Sequence, residues 1–105
     1  MCYSKQIEGK EYLIITPGYI SIDASISMEF KEKLVNIIAQ EHYHILIDLV
    51  NVRYIDSIGL ATIISALKEL KNKGDIVLAN LNAAVNTYFK LTRMDRVFSI
   101  IELEE

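Results

Sequence analysis

An α/β fold is the expectation for this chain: a single domain in which a mixed, mainly parallel sheet of about four to five strands is packed by about four helices. Three features lead there. Two apolar segments near the start flank a Glu-Gly-Lys turn. Helical and strand periodicities then alternate to the end of the chain. The length, 105 residues, suits one domain spanning 1–105. Strands separated by helix-length segments call for right-handed crossovers, which make neighbouring strands parallel. The opening hairpin adds an antiparallel edge, so the sheet is mixed.

Residues 3–7 and 11–16 read as that hairpin. Tyr12, Leu13, Ile14 and Ile15 give its second arm a β-rich apolar run, and Pro17-Gly18 closes it. Residues 27–40 read as a helix, with Phe30, Leu34, Ile37 and Ile38 on one face. Ser25 or Ser27 is the expected cap, and Glu29 suits the first turn. Residues 44–49 form the clearest strand, apolar almost throughout, as in a strand covered on both faces. After a connector, residues 57–73 read as a second helix. Its stripe is Leu60, Ile63, Ile64, Leu67 and Leu70, its last turn is wet and cationic, and Gly74 stops it. Residues 75–80 are another buried strand. Asn82 is a cap for a third helix reaching about Leu91, with Val85, Tyr88, Phe89 and Leu91 as its apolar side. Residues 97–101 form a last short strand before an acidic tail.

Composition removes several classes of function. Apolar residues make up 51% of the chain, enough for a core. The net charge is −3, from 11 basic and 14 acidic residues without a basic stripe. A nucleic-acid partner needs a cationic footprint, so no nucleic acid is expected. The one cysteine, Cys2, makes no internal disulfide and belongs to no Cys-x-x-Cys pair. No apolar run is long enough to span a bilayer, and the first ten residues lack a signal-peptide core. A cytoplasmic protein is the expectation. His42 and His44 lack the further ligands that a metal site requires. No nucleophile elbow, phosphate-binding loop or dinucleotide fingerprint is present. Nor does the early strand end in the acids of a phospho-receiver domain. No cofactor and no enzymatic activity are expected, and the oligomeric state stays open.

The informative stretch is Tyr54-Ile55-Asp56-Ser57-Ile58-Gly59-Leu60, where the most buried strand passes into the most regular helix. Asp56 and Ser57 are both good N-cap types, and either can accept from a free first-turn amide. Gly59 sits inside that turn, where glycine costs roughly 1 kcal/mol against alanine. Such a cost points to something that must approach the backbone closely. Spacing alone favours a plain cap. The functional alternative is a phosphoacceptor serine at a helix N-terminus, where dipole and amides tolerate a dianion. Tyr19, Tyr54 and Ile58 are candidates for an apolar rim around Ser57, although covering the core is the preferred reading for Tyr54.

Residues 48–60 (DLVNVRYIDSIGL) resemble the signature of anti-sigma factor antagonists, the STAS-domain family, and residues 84–100 (AVNTYFKLTRMDRVFSI) resemble its third helix and closing strand. The resemblance covers nearly the whole chain and implies a STAS-like fold. It implies that Ser57 is the phosphorylated residue. The unphosphorylated form would bind an anti-sigma factor with serine kinase activity and free a sigma factor. Phosphorylation would dismiss the antagonist, and a PP2C-type phosphatase would reset it. Tyr19, Ser21, Asp23, Asp56, Ser57, Ile58 and Gly59 are then the partner-binding candidates. Two departures stand out. Ile58 replaces the usual Ser or Thr, and Ser21 replaces an expected acid, with Asp23 two residues on. The same family also includes scaffold and accessory subunits of stress-sensing or lipid-transport complexes without sigma-factor control, which is the alternative reading.

Overall fold

The computed structural model describes residues 2–103. Strands β1 (Cys2–Ile7) and β2 (Lys10–Ile15) form the expected antiparallel hairpin. Its turn places Glu8 and Gly9 in the left-handed region, φ 50° and 82°, a conformation glycine adopts without steric cost. A two-residue strand β3 (Ser21–Ile22) follows, then helix α1 (Ser27–Ala39) and strand β4 (His44–Asp48). Next come β5 (Tyr54–Ile55), α2 (Ser57–Glu69), β6 (Asp75–Ala79), α3 (Ala83–Leu91), a 3-10 turn (Met94–Arg96) and β7 (Ser99–Ile101). The main sheet has five strands in the order β1-β2-β4-β6-β7, antiparallel only between β1 and β2.

One face of the sheet carries the core. Ile15, Ile45, Ile47, Ile76 and Leu78 project from it onto Phe30 and Leu34 of α1, Leu60, Ile63 and Ala66 of α2, and Val85 and Phe89 of α3. The opposite face holds a smaller cluster of Tyr12, Ile14, Leu46, Val77 and Ala79, with Ile7, Ile101 and Leu103 packed against it. The two-sided burial expected of residues 44–49 therefore holds, and both clusters draw on β4. Among the described residues no helix is long and apolar enough to cross a membrane.

Several local expectations give way to tertiary structure. The described residues form three α-helices and a 3-10 turn, not about four helices. After α3, Arg93 enters the left-handed region at φ 62°, and only one tight turn follows. The cap of α1 is neither Ser25 nor Ser27 but Ile26, whose side chain accepts nothing. Helix α2 ends at Glu69, short of Lys73, because Lys71 and Asn72 turn left-handed at φ 49° and 65°. Gly74 has another role: a Cβ there would lie 1.7 Å from the Tyr43 carbonyl oxygen. Leu91, expected on the apolar side of α3, is 79% exposed.

Candidate functional site

The N-terminus of α2 is held from several directions. Asp56 is its N-cap, in extended conformation, and accepts from the Gly59 amide at 2.8 Å through Oδ1. Through Oδ2 it accepts from the Ala24 amide at 3.3 Å, which ties the turn to the segment leading into α1. The Asp56 carbonyl accepts from the Leu60 amide at 2.9 Å. Of the two cap candidates, Asp56 takes the role, and this leaves Ser57 as the first helical residue, exposed to solvent. Among the described residues nothing accepts from the amides of Ser57 and Ile58. The end of the helix thus keeps free donors beside the Ser57 hydroxyl.

Gly59 is buried, and what approaches it is the chain itself. A Cβ at this position would lie 2.0 Å from the carbonyl oxygen of Ile22. That contact lets β3 lie against the first turn of α2. Strand β3 pairs in parallel with β5, Ser21 opposite Tyr54 and Ile22 opposite Ile55. The Ile20 carbonyl accepts from the Arg53 amide at 2.7 Å and the Ile22 carbonyl from the Asp56 amide at 3.2 Å. From the other side Asn82 caps α3 by accepting from the Val85 amide, and its Nδ2 donates to the Arg53 carbonyl at 3.2 Å. The connector between β4 and α2 is in this way a clamped platform ahead of Ser57.

The remaining candidates divide. Asp23 accepts from the Ser25 amide at 2.9 Å and from its hydroxyl at 2.6 Å. Hydrogen bonds from Ser25, then from Ser21, hold its carboxyl below the usual aspartate range. It organises the turn into α1, which explains why that helix needs no serine cap. Ser21 is half-buried in β3. Tyr19 turns onto α1: its ring meets Phe30 edge-on at 5.8 Å, and its hydroxyl donates to Glu29 and accepts from Lys33. Burial and then the Glu29 bond push that phenol above its ordinary value.

Tyr54 and Ile58 are exposed, at 63% and 50%, so Tyr54 does not cover the core. Two further apolar side chains join this region, Ile20 at 65% and Val50 at 58% exposure. Ile20, Val50 and Tyr54 line one groove with Arg53. The sequence reading missed Ile20 and Val50. An aliphatic residue next to a buried run looks like part of that run until the strand's end is known. Scattered exposed apolar residues are ordinary, but several around one groove mark a contact surface.

Away from this end, Asp75 accepts from the Tyr12 hydroxyl at 2.6 Å and pairs with His44 Nδ1 at 2.6 Å. Burial, then the bond to Asp75, push the Tyr12 phenol up to about 12. This cluster joins β2, β4 and β6 side by side. Among the described residues no group of three or more His, Cys, Asp or Glu is placed to hold a metal ion.

Comparison with known proteins agrees with this geometry. The fold matches that of a Thermotoga maritima protein described as a candidate anti-sigma factor antagonist, at TM-score 0.81 and 23% identity, over 97% of this chain and 86% of that one. An anti-sigma factor antagonist from Mycobacterium paratuberculosis matches at TM-score 0.75 and 16% identity, over 98% and 86%. The Bacillus cell fate determinant SpoIIAA in its phosphorylated form matches at TM-score 0.68 and 16% identity, over 100% and 93%. The family model for the STAS domain matches residues 6–105, and with nearly the whole sequence covered, this chain belongs to the STAS domain family.

Proposed function

We propose that this protein is a phosphorylation-switched anti-sigma factor antagonist in which Ser57 is the switch. The observation that carries the reading is the exposed Ser57 at the start of α2, beside two amides without acceptors among the described residues and followed by the exposed Ile58. In the unphosphorylated form, Ile58, Tyr54, Ile20 and Val50 dock against an anti-sigma factor that is also a serine kinase, and a sigma factor is released. Asp56 and Gly59 act from behind, by fixing the turn that presents the hydroxyl. Ser21 and Asp23 support the neighbouring loop.

Phosphorylation adds about −1.5 to −2 charges at that surface. Burying them in an apolar contact without a cationic partner should cost several kcal/mol. Each 1.4 kcal/mol is about tenfold in affinity, so the complex dissociates. A PP2C-type phosphatase restores the docking form.

The test is incubation with a serine-kinase anti-sigma factor and ATP, followed by mass mapping and binding titration. A single phosphate on Ser57 is expected. Ser57→Ala should bind the kinase without being modified, and Ser57→Asp should bind at least tenfold more weakly. A phosphate mapped to another residue, or equal affinity of the two variants, would overturn the reading.

A further inference from the structure

One cavity lies away from Ser57, between the end of β2 and α1. It is a groove of about 600 Å³, within the range of roughly 300–1,000 Å³ typical of small-ligand sites. Ile15, Pro17, Phe30, Leu34 and Ile37 line it, and Lys33 is the only charged side chain among its described lining residues. The Lys33 ammonium is drawn toward Tyr19. Its Nζ donates to the Tyr19 hydroxyl at 3.2 Å and stands 5.4 Å from the centre of the Tyr19 ring. One cation therefore stands at an apolar groove with no carboxylate among its described lining residues.

We propose that this groove binds a small amphipathic organic anion, with its hydrocarbon body against Ile15, Phe30, Leu34 and Ile37 and its carboxylate on Lys33. The chemistry favours one anionic head over a neutral lipid or a peptide. The Tyr19 hydroxyl that Lys33 shares also donates to Glu29, but no carboxylate is among the groove's described lining residues, so a neutral chain would leave the charge that lines the groove unused, and a folded partner would need a wider apolar face than a groove of about 600 Å³ offers. Placing a carboxylate on an ammonium is a charge-assisted bond, stronger than a neutral one.

The experiment titrates the whole protein with decanoate below its micelle concentration, with decanol as the neutral control, and follows backbone amide shifts. Saturable shifts confined to residues 15–19 and 30–37 are expected, with decanol binding more weakly. Lys33→Glu should weaken decanoate by about tenfold and favour decyltrimethylammonium instead. Lys33 is exposed on α1, so this variant should fold. Absent saturation, shifts centred on Ile20, Val50, Tyr54 and Ile58, or unchanged decanoate affinity in Lys33→Glu would each overturn the proposal. The groove does not include Ser57, so the outcome is independent of the phosphorylation switch.

Discussion

Replacing Gly59 by alanine would drive a methyl group against the Ile22 carbonyl oxygen, 2.0 Å away. Better helix propensity returns at most about 1 kcal/mol, whereas forcing backbone apart in a packed region costs about 1–3 kcal/mol. Gly59→Ala should therefore lower stability by about 1–2 kcal/mol in urea titration, and it should move β3 away from α2. The neighbouring Asp56 makes a sharper comparison. Asp56→Ala removes the cap on the Gly59 amide and should cost about 1–2 kcal/mol. Asp56→Asn keeps an accepting oxygen and should recover most of that. Equal losses for the two variants would mean that charge, not the hydrogen bond, holds the turn. Gly59 shows how far a single residue can be read. Its presence inside a helical turn signals a close approach, but the approaching group is 37 positions earlier in the chain, and no local pattern names it.

The strands were readable as elements because alternation and apolar runs are local properties. Their neighbours were not. Tyr12, His44 and Asp75 belong to three different strands and meet only through the parallel register of β2, β4 and β6. A stability consequence follows from that meeting. The native Tyr12 phenol keeps its proton to about pH 12, while the unfolded one loses it near 10.0. The raised value means the contribution is complete below pH 10, declines above it, and is lost as pH passes through about 12. Tyr12→Phe should flatten the alkaline fall in stability between those limits, and should cost about 1 kcal/mol at neutral pH through the lost hydrogen bond. Denaturant midpoints at pH 9 and pH 11 for both proteins would check this. A fall of the same steepness in Tyr12→Phe would exclude Tyr12 as its source. Helix ends show the same division. Asn82 was readable as the cap of α3, because Asn followed by an apolar period is a local signal. The early end of α2 was not, because it depends on the turn that brings Gly74 under Tyr43.

For the molecule as a whole, the proposed switch requires that phosphorylation change docking without changing the fold. A phosphate on Ser57 would lie beside the positive end of α2, which favours an anion by about 0.3–1 kcal/mol, with the Asp56 carboxylate opposing it. Unmodified and phosphorylated protein should therefore unfold within about 1 kcal/mol of each other, a shift of several degrees at most in Tm for a domain this size. A much larger drop would mean that phosphorylation works by unfolding. The amino-acid order alone determined the class of fold, the hairpin and the buried strands, because periodicity and turn chemistry act over a few neighbouring positions. Which side chains near β3 and β5 are buried and which are exposed was decided by chain-wide packing. Tyr19 turned onto α1, Ile20 and Val50 stayed exposed, and Ile22, in the parallel pairing of two short strands, claimed the space at Gly59. Contacts of that kind depend on closing long loops, and a local pattern carries no record of which distant segment will arrive.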